Sequence, residues 1–198
     1  MTTVSRSDQE SISIITLNRG KVNALDEEVV VALEAHLERL AGDVSTRAVV
    51  LTGQGSFFSF GLDVPTLYDY SPEDFTRFLD RFTRLYLRIF EFPKPVIAAI
   101  NGHAIAGGLM LATPCDYRVM ATGKARISLN EVTFGSSLFA GSIEILQCVV
   151  GHRNAERIAL GTPSAAHVIV PVAGVVGLFA TVNVNVAAPV TVISNVPL

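Results

Sequence analysis

The last fifth of the chain contains no acidic or basic residue other than one histidine. All 33 Asp, Glu, Lys and Arg residues of the 198-residue sequence occur at or before Arg157. A helix that spans a bilayer needs about 20 consecutive apolar residues. Pro171, Asn183 and Asn185 interrupt the apolar run of this segment, so we expect no membrane span and no membrane partner.

The uncharged segment, residues 161–198, leaves two interpretations open. Either it departs from the reading frame of the parent gene, as after a frameshift, or it is a genuine tail that is β-like or covered by a partner. The alternation in Val182–Val186 is typical of a strand, and an exposed strand of this composition would be prone to aggregate. We therefore expect a folded core over residues 1–160 followed by a divergent, truncated-looking end.

Cysteine is also scarce, and the charge balance is close to neutral. Cys115 and Cys148 both lie among apolar residues and show no metal-ligand spacing, which predicts reduced core thiols and no metal site. The first residues lack an apolar signal region, so we expect a cytoplasmic protein. A net charge of −3 gives no electrostatic reason to expect nucleic acid as a partner. The arginines at 77, 81, 84 and 88 are interpreted as the solvated face of a helix.

Apolar periodicity predicts strands that alternate with helices, which indicates a one-domain α/β fold. Strands are predicted over residues 11–18, 47–52, 96–100, 116–121 and 127–132. Helices are predicted after Asp26, from Ser71 to about Glu91, and over residues 107–112, 142–150 and 154–160. Asp26 and Ser71 are expected to be the N-caps of their helices, because each is followed by acidic residues and an apolar helical stripe.

Two glycine-bearing segments follow strand-like runs, namely Phe58–Asp63 and Asn101–Gly108. Small residues at such turns leave backbone N–H groups uncovered. Two of these donors converging on one oxygen would form an oxyanion hole, which stabilises negative charge that develops on a carbonyl. Together with the carboxylate of Glu131, the two segments suggest enolate chemistry.

The order and spacing of these segments resemble the enoyl-CoA hydratase/isomerase (crotonase) superfamily over about residues 10–160. The matching segments are Asn18–Arg19 with Asn23–Leu25, Phe58–Asp63, Lys94–Ala104 with Gly107–Gly108, and Asn130–Val132 before Gly135. The resemblance implies a spiral of ββα units and an acyl-CoA thioester substrate of fatty acid metabolism. It implies assembly as homotrimers or hexamers, and no cofactor besides the coenzyme A of the substrate.

The same resemblance assigns roles to individual residues. The backbone amides of Leu62 and Gly107 would hold the thioester oxygen. Val22 and Ala24 would line the coenzyme A channel. Three residues of the first turn, Phe60, Asp63 and Val64, would continue the substrate-contacting surface.

The acid and base groups decide which reaction the resemblance implies. Hydratases of this family carry two glutamates, the first of them three residues after the oxyanion glycine. Met110 occupies that position and cannot transfer a proton, so it would only contact substrate, whereas the second glutamate corresponds to Glu131. We expect Glu131 to lie in an apolar pocket that raises its pKa.

A single glutamate resembles the Δ3,Δ2-enoyl-CoA isomerases, in which one carboxylate moves a proton from C2 to C4. The function predicted from the sequence is therefore isomerisation of an acyl-CoA double bond. Hydration of a 2-enoyl-CoA with one glutamate is the alternative within enzymes. A non-catalytic acyl-CoA binder, or an inactive paralogue, is the alternative from another class.

Overall fold

The computed structural model describes residues 2–121, 125–129, 131–139, 141–160 and 190–193. Within these residues the strands are β1 (Val4–Gln9), β2 (Ile12–Leu17), β3 (Ala48–Gly53), β4 (Phe57–Ser59), β5 (Val96–Ile100), β6 (His103–Ile105), β7 (Tyr117–Ala121), β8 (Ile127–Ser128) and β9 (Val190–Ile193). The helices are α1 (Glu27–Gly42), α2 (Val64–Tyr68), α3 (Pro72–Phe90), α4 (Gly107–Ala112), α5 (Ser142–Val150) and α6 (His152–Ala159). A 3-10 turn spans Glu131–Phe134.

The strands form two sheets that the chain visits alternately. The larger sheet has the order β1-β2-β3-β5-β7-β9, and the smaller has the order β4-β6-β8. β3, β5 and β7 pair in parallel in the larger sheet, and each is followed by one parallel strand of the smaller sheet. Two strands followed by helical structure therefore repeat along the chain, which is the ββα spiral expected from the sequence.

Capping and apolar spacing explain where the two long helices begin. The Asp26 carboxylate accepts a hydrogen bond from the Val29 amide at 3.0 Å, at the start of α1. The Ser71 hydroxyl accepts one from the Asp74 amide at 3.1 Å, and Pro72 occupies the first position of α3. Both predicted N-caps are confirmed, and each satisfies an amide that has no partner inside its helix.

The main core lies between the larger sheet and the helices, and α3 contributes its aromatic face. Phe78, Phe82 and Tyr86 are almost fully buried there. A second, smaller apolar cluster lies on the opposite face of the larger sheet, where alternate strand residues point. It consists of Ile14, Val50, Ile97, Ala99 and Val119.

Three of the four arginines on α3 are engaged with carboxylates of the protein. Arg77 and Arg84 pair with acids of the same helix. Arg81 pairs with two glutamates of α1 and so ties the two long helices together. Ion pairs within the protein thus engage these three arginines, and the absence of a nucleic-acid partner stays a prediction.

Several predicted features differ in the structure. β1 was not predicted, because its sequence Val4–Gln9 is largely polar and gains its place by antiparallel pairing with β2. The predicted strand over 127–132 ends at Ser128, and the 3-10 turn that starts at Glu131 replaces its last part. Cys115 is buried as expected, but Cys148 is exposed, so its assignment to the core is wrong.

The end of the chain is described only at β9, which pairs antiparallel with β7. The strand predicted over residues 182–186 lies outside the described residues, as does most of the segment 161–198. No helix within the described part of the chain is both long enough and apolar enough to cross a bilayer.

The first turn of α4 packs directly on the backbone of β4. A Cβ atom added at Gly108 would lie 2.3 Å from the carbonyl oxygen of Ser59, which is closer than real Cβ contacts. Ser59 is itself fully buried. Only glycine at position 108 therefore allows the helix to approach the smaller sheet this closely.

We expect Gly108→Ala to destabilise the fold by about 2 kcal/mol, because it forces a backbone displacement in a packed region. Gly42→Ala is the matched control, since a Cβ at Gly42 meets nothing within 4 Å. In a helix, alanine is ordinarily more favourable than glycine by about 1 kcal/mol, so the control should be neutral or slightly stabilising. Urea unfolding followed by circular dichroism measures both variants, and equal midpoints would contradict the close contact.

Candidate active site

The first turn of the candidate site joins β4 to α2 and is fixed by the loop before α1. Gly61 has a φ of +97°, a conformation that favours glycine. The Leu25 amide donates to the carbonyl oxygen of Gly61 at 2.8 Å, and the Asp63 amide donates to that of Leu25 at 2.8 Å. In a trans peptide the N–H points away from the C=O. The Leu62 amide, which shares its peptide with the Gly61 carbonyl, is therefore directed away from Leu25.

The second turn joins β6 to α4 and is fixed in a similar way. The Ala106 amide donates to the carbonyl oxygen of Ser128 on β8 at 2.7 Å. The Ala106 carbonyl accepts from the Met110 amide at 3.0 Å, so the Gly107 N–H of the same peptide points out of the helix start. Ala106 has a φ of +49° and a ψ of −124°, which is a strained conformation for a residue other than glycine.

The two turns are in direct contact with each other. A Cβ atom placed on Gly61 would lie 2.9 Å from the Gly107 nitrogen, and one on Gly107 would lie 3.4 Å from the Leu62 nitrogen. Within the described residues, neither the Leu62 amide nor the Gly107 amide donates to another protein group. Two neighbouring amides whose hydrogen-bonding capacity is unused can donate to one oxygen atom.

An aromatic wall from α3 backs the second turn. The Cζ atom of Phe82 would lie 3.3 Å from a Cβ placed on Gly107. The Phe82 ring packs against those of Phe78, Tyr86 and Phe139, with centroid separations of 6.4, 5.8 and 6.2 Å. These rings exclude water from one side of the turn, and electrostatic interactions are stronger where water is excluded.

Glu131 is a buried carboxylate at the start of the 3-10 turn that follows β8. It is only 5% exposed, and its Oε2 atom has no hydrogen-bond partner among the described residues. Burial raises the pKa of the Glu131 carboxyl, and its own backbone amide opposes the shift only in part. Glu131 lies three residues after Ser128, whose carbonyl accepts the Ala106 amide, and it begins the 3-10 turn.

The early loop that precedes α1 lies against the first turn. The Phe60 amide donates to the carbonyl oxygen of Val22 at 2.9 Å. Val22 and Ala24 are half-buried, as are Leu62 and Asp63. Phe60 and Val64 are exposed, at 53% and 62%. The structure thus brings the predicted residues of the loop and the first turn together on one side of the molecule.

Met110 and Asp63 occupy positions that restrict what they can do. Met110 is buried one helical turn after Gly107, on α4. The carboxylate of Asp63 is engaged within the protein, since Oδ1 accepts from the Thr66 amide at 3.3 Å and Oδ2 pairs with Arg19 at 2.6 Å.

Two buried polar residues that hold the site together had no role predicted from the sequence. Asn23 is fully buried with a φ of +51°, and its side-chain NH2 group donates to the carbonyls of Gln54 and Phe57 at 3.0 and 2.8 Å. The Ser59 hydroxyl donates to the carbonyl of Asn23 at 2.7 Å and accepts from the Gly61 amide at 3.1 Å. The sequence signal that could have identified them is a small polar residue within an apolar motif. Such a residue is expected to be buried, and buried polar groups are almost always hydrogen-bonded.

Comparisons with known proteins agree on one family. A family model described as enoyl-CoA hydratase/isomerase matches residues 7–182. The mitochondrial enoyl-CoA delta isomerase 1 of Mus musculus is 36% identical over 154 residues, which cover 76% of this chain and 53% of that protein. The 2,3-dehydroadipyl-CoA hydratase of Escherichia coli is 36% identical over 160 residues, covering 80% of this chain and 61% of that protein.

A solved structure gives the same result for the fold. The crystal structure of human mitochondrial delta3-delta2-enoyl-CoA isomerase superimposes with a TM-score of 0.75 at 30% identity, covering 80% of this chain and 64% of that one. The chain thus spans between about half and two thirds of the length of these relatives. The crotonase-like α/β fold expected from the sequence is confirmed, and the chain belongs to the enoyl-CoA hydratase/isomerase family.

Proposed function

We propose that this protein isomerises the double bond of an enoyl-CoA thioester, with Glu131 as the single acid–base residue. The proposal rests on two observations: the buried Glu131 carboxyl has an oxygen without a partner among the described residues, and the two turns bring the Leu62 and Gly107 amides close together. The amides of Leu62 and Gly107 would bind the thioester oxygen and stabilise the enolate that forms there. Loss of one such donor typically raises the barrier by about 3–4 kcal/mol.

The proposed proton transfer depends on whether the Glu131 carboxyl is ionised or protonated. Its ionised carboxylate would remove a proton from C2 of a 3-enoyl-CoA and leave a dienolate whose charge rests on the thioester oxygen. The protonated carboxyl would then return the proton at C4 and give the 2-enoyl-CoA. A carboxyl whose pKa is raised toward the working pH suits both steps, because it accepts and releases a proton with similar ease.

The alternative reaction, hydration of a 2-enoyl-CoA, needs a water molecule that carboxylates position. Relatives named as hydratases resemble the chain as closely as those named as isomerases, so the family alone does not favour either reaction. Met110 is what favours isomerisation, because its apolar thioether occupies the position of the first of the two glutamates that hydratases of this family carry. A third possibility is an acyl-CoA binder without catalysis.

Parallel assays with a 3-enoyl-CoA and a 2-enoyl-CoA separate these functions. Conversion of the 3-enoyl-CoA to the 2-enoyl isomer is the expected result. Formation of a 3-hydroxyacyl-CoA without isomerisation would favour the hydratase. Binding of both esters with conversion of neither would favour the binder and overturn the proposal.

Replacing the proposed base should separate catalysis from binding. We expect Glu131→Gln to lower kcat for isomerisation by about 10²–10⁴-fold, the usual contribution of a positioned acid–base group. The affinity for a saturated acyl-CoA should change little, because the two amides remain. Glu156→Gln, at an exposed position of α6, is the matched control. A Glu131→Gln variant with nearly full turnover would show that Glu131 is not the base.

The pH dependence of the wild-type rate gives a second test of the same group. The base must be ionised, so the rate should fall as the pH drops through the raised pKa of Glu131. This acid limb should lie above the range of an ordinary glutamate. The kcat profile measures it, and a rate that stays constant down to the ordinary glutamate range would contradict the assignment.

Stability should depend on pH through the same carboxyl. A pKa raised in the folded state means that the folded protein holds its proton more tightly than the unfolded chain does. The contribution of Glu131 to stability is therefore full below the ordinary glutamate pKa and is lost as the pH rises through the raised value. Relative to the wild type, Glu131→Gln should gain stability at neutral pH and lose that gain in acid. Urea unfolding midpoints of the wild type and Glu131→Gln at neutral and acidic pH test the direction of this stability difference, with Glu156→Gln as the control.

Introducing a second carboxylate should shift the reaction toward hydration. We expect Met110→Glu to form a 3-hydroxyacyl-CoA from a 2-enoyl-CoA, detected by chromatography, at a rate above that of the wild type. Met110→Gln is the control, since it adds a polar group of the same size that cannot take up a proton. Equal hydration by the two variants would show that position 110 does not determine the reaction.

A further inference from the structure

Arg19 connects the N-terminal ends of two helices that flank the candidate site. Its Nη2 atom pairs with Oδ2 of Asp26 at 2.8 Å, and its Nη1 atom pairs with Oδ2 of Asp63 at 2.6 Å. Asp26 is the N-cap of α1 and Asp63 is the N-cap of α2. One guanidinium group therefore joins the residue that ends the early loop to the residue that follows Leu62.

The two aspartates share their oxygens in the same manner. Each uses Oδ1 to accept the capping hydrogen bond, from Val29 at 3.0 Å and from Thr66 at 3.3 Å. Each uses Oδ2 for Arg19, so both carboxylates are held at two points. The planar fork of an arginine can span two carboxylates in fixed directions, which a lysine ammonium cannot do.

These contacts are partly shielded from solvent. The side chains of Arg19, Asp26 and Asp63 are only 24%, 12% and 15% exposed. Burial alone would raise the pKa of Asp63, but hydrogen bonds from Thr66 and Arg19 outweigh it, and the pKa lies below its ordinary value. Partial burial makes these pairs less subject to screening than exposed ion pairs.

The segment that Arg19 clamps is the one that directs the Leu62 amide. Between the two aspartates run the hydrogen bonds from Leu25 to the Gly61 carbonyl and from Asp63 to the Leu25 carbonyl, each 2.8 Å long. They set the plane of the Gly61–Leu62 peptide and hence the direction of the Leu62 N–H. A shift of either aspartate would rotate that plane.

We propose that Arg19 is a positioning residue for the Leu62 amide, acting through the carboxylates of Asp26 and Asp63. The inference rests on the proposed function, because it assumes that this amide binds a thioester oxygen. Asp63 then serves the site through its bond to Arg19 rather than through contact with substrate. Arg19 itself touches no reacting atom and takes no part in proton transfer.

The test compares Arg19→Met, in the loop between β2 and α1, with Arg81→Met on α3 as the matched control. Arg81 also joins two carboxylates, those of Glu27 and Glu34, and one of them lies in the first turn of α1. Arg81→Met therefore removes a comparable bridge that does not reach Leu62. Asp63→Asn is a second variant, which keeps a capping oxygen and loses the ion pair, in case Arg19→Met does not fold.

The direct readout is the carbonyl stretching frequency of bound butyryl-CoA labelled with 13C at the thioester carbon. Hydrogen bonds from the two amides should lower this frequency in the wild-type protein. We expect Arg19→Met and Asp63→Asn to lose part of that shift and to lower kcat for isomerisation by about tenfold, less than the full loss of one donor. Arg19→Lys should recover part of both effects, and Arg81→Met should behave as the wild type does.

The outcomes distinguish this inference from the proposed function. A normal carbonyl shift in folded Arg19→Met and Asp63→Asn, with reduced thermal stability alone, would overturn the positioning role and leave the proposed function intact. Equal losses of shift in Arg19→Met and Arg81→Met would also overturn it. A wild-type protein that binds butyryl-CoA without any shift would contradict the two-amide site itself, and the role of Arg19 with it.

Discussion

The approach of the Gly61 backbone to the Gly107 backbone is the contact on which the rest of the site depends. At a separation where a Cβ on Gly61 would lie 2.9 Å from the Gly107 nitrogen, the two turns can meet only because neither carries a side chain there. One turn belongs to the end of β4 and the other to the end of β6, strands that pair in parallel in the smaller sheet. The pairing of β4 with β6 thus brings the two turns together although they are distant in sequence, and the lack of a side chain on glycine allows their backbones to make contact.

Much of the fold could be predicted from the sequence, because its long helices and buried strands have recognisable local sequence patterns. The apolar stripe of α3 and its Ser71 cap, and the buried strand β5, depend on residues close together in the chain. β1 could not be predicted, since its polar sequence becomes a strand only by pairing with β2. The end of β8 was misjudged for a related reason: apolar residues around Glu131 fit either a strand or a short 3-10 turn, and only tertiary packing decides.

The candidate site was predictable where glycine and a carboxylate marked it, and not where ordinary polar residues support it. Asn23 and Arg19 belong to the segments that match the family, but the sequence alone assigns them no chemical role. The structure shows what each of them does. The side chain of Asn23 donates to carbonyls more than 30 positions away, and Arg19 pairs with Asp63. Such contacts have no local sequence signature, because each partner is an ordinary residue until the fold brings the two together.

Two residues of the candidate site carry unfavourable features, and ligand binding would explain both. Ala106 keeps a strained backbone conformation next to Gly107, and Glu131 keeps a carboxylate oxygen buried with no partner in the described part of the chain. Either feature alone lowers the stability of a fold, and neither is needed to complete a sheet or a helix. Each has a use if a ligand supplies what is missing, namely an oxygen for the amides beside Ala106 and a transferable proton for Glu131. In a complex with an enoyl-CoA thioester, transfer of the C2 proton would give the Glu131 carboxylate the proton that its surroundings already favour.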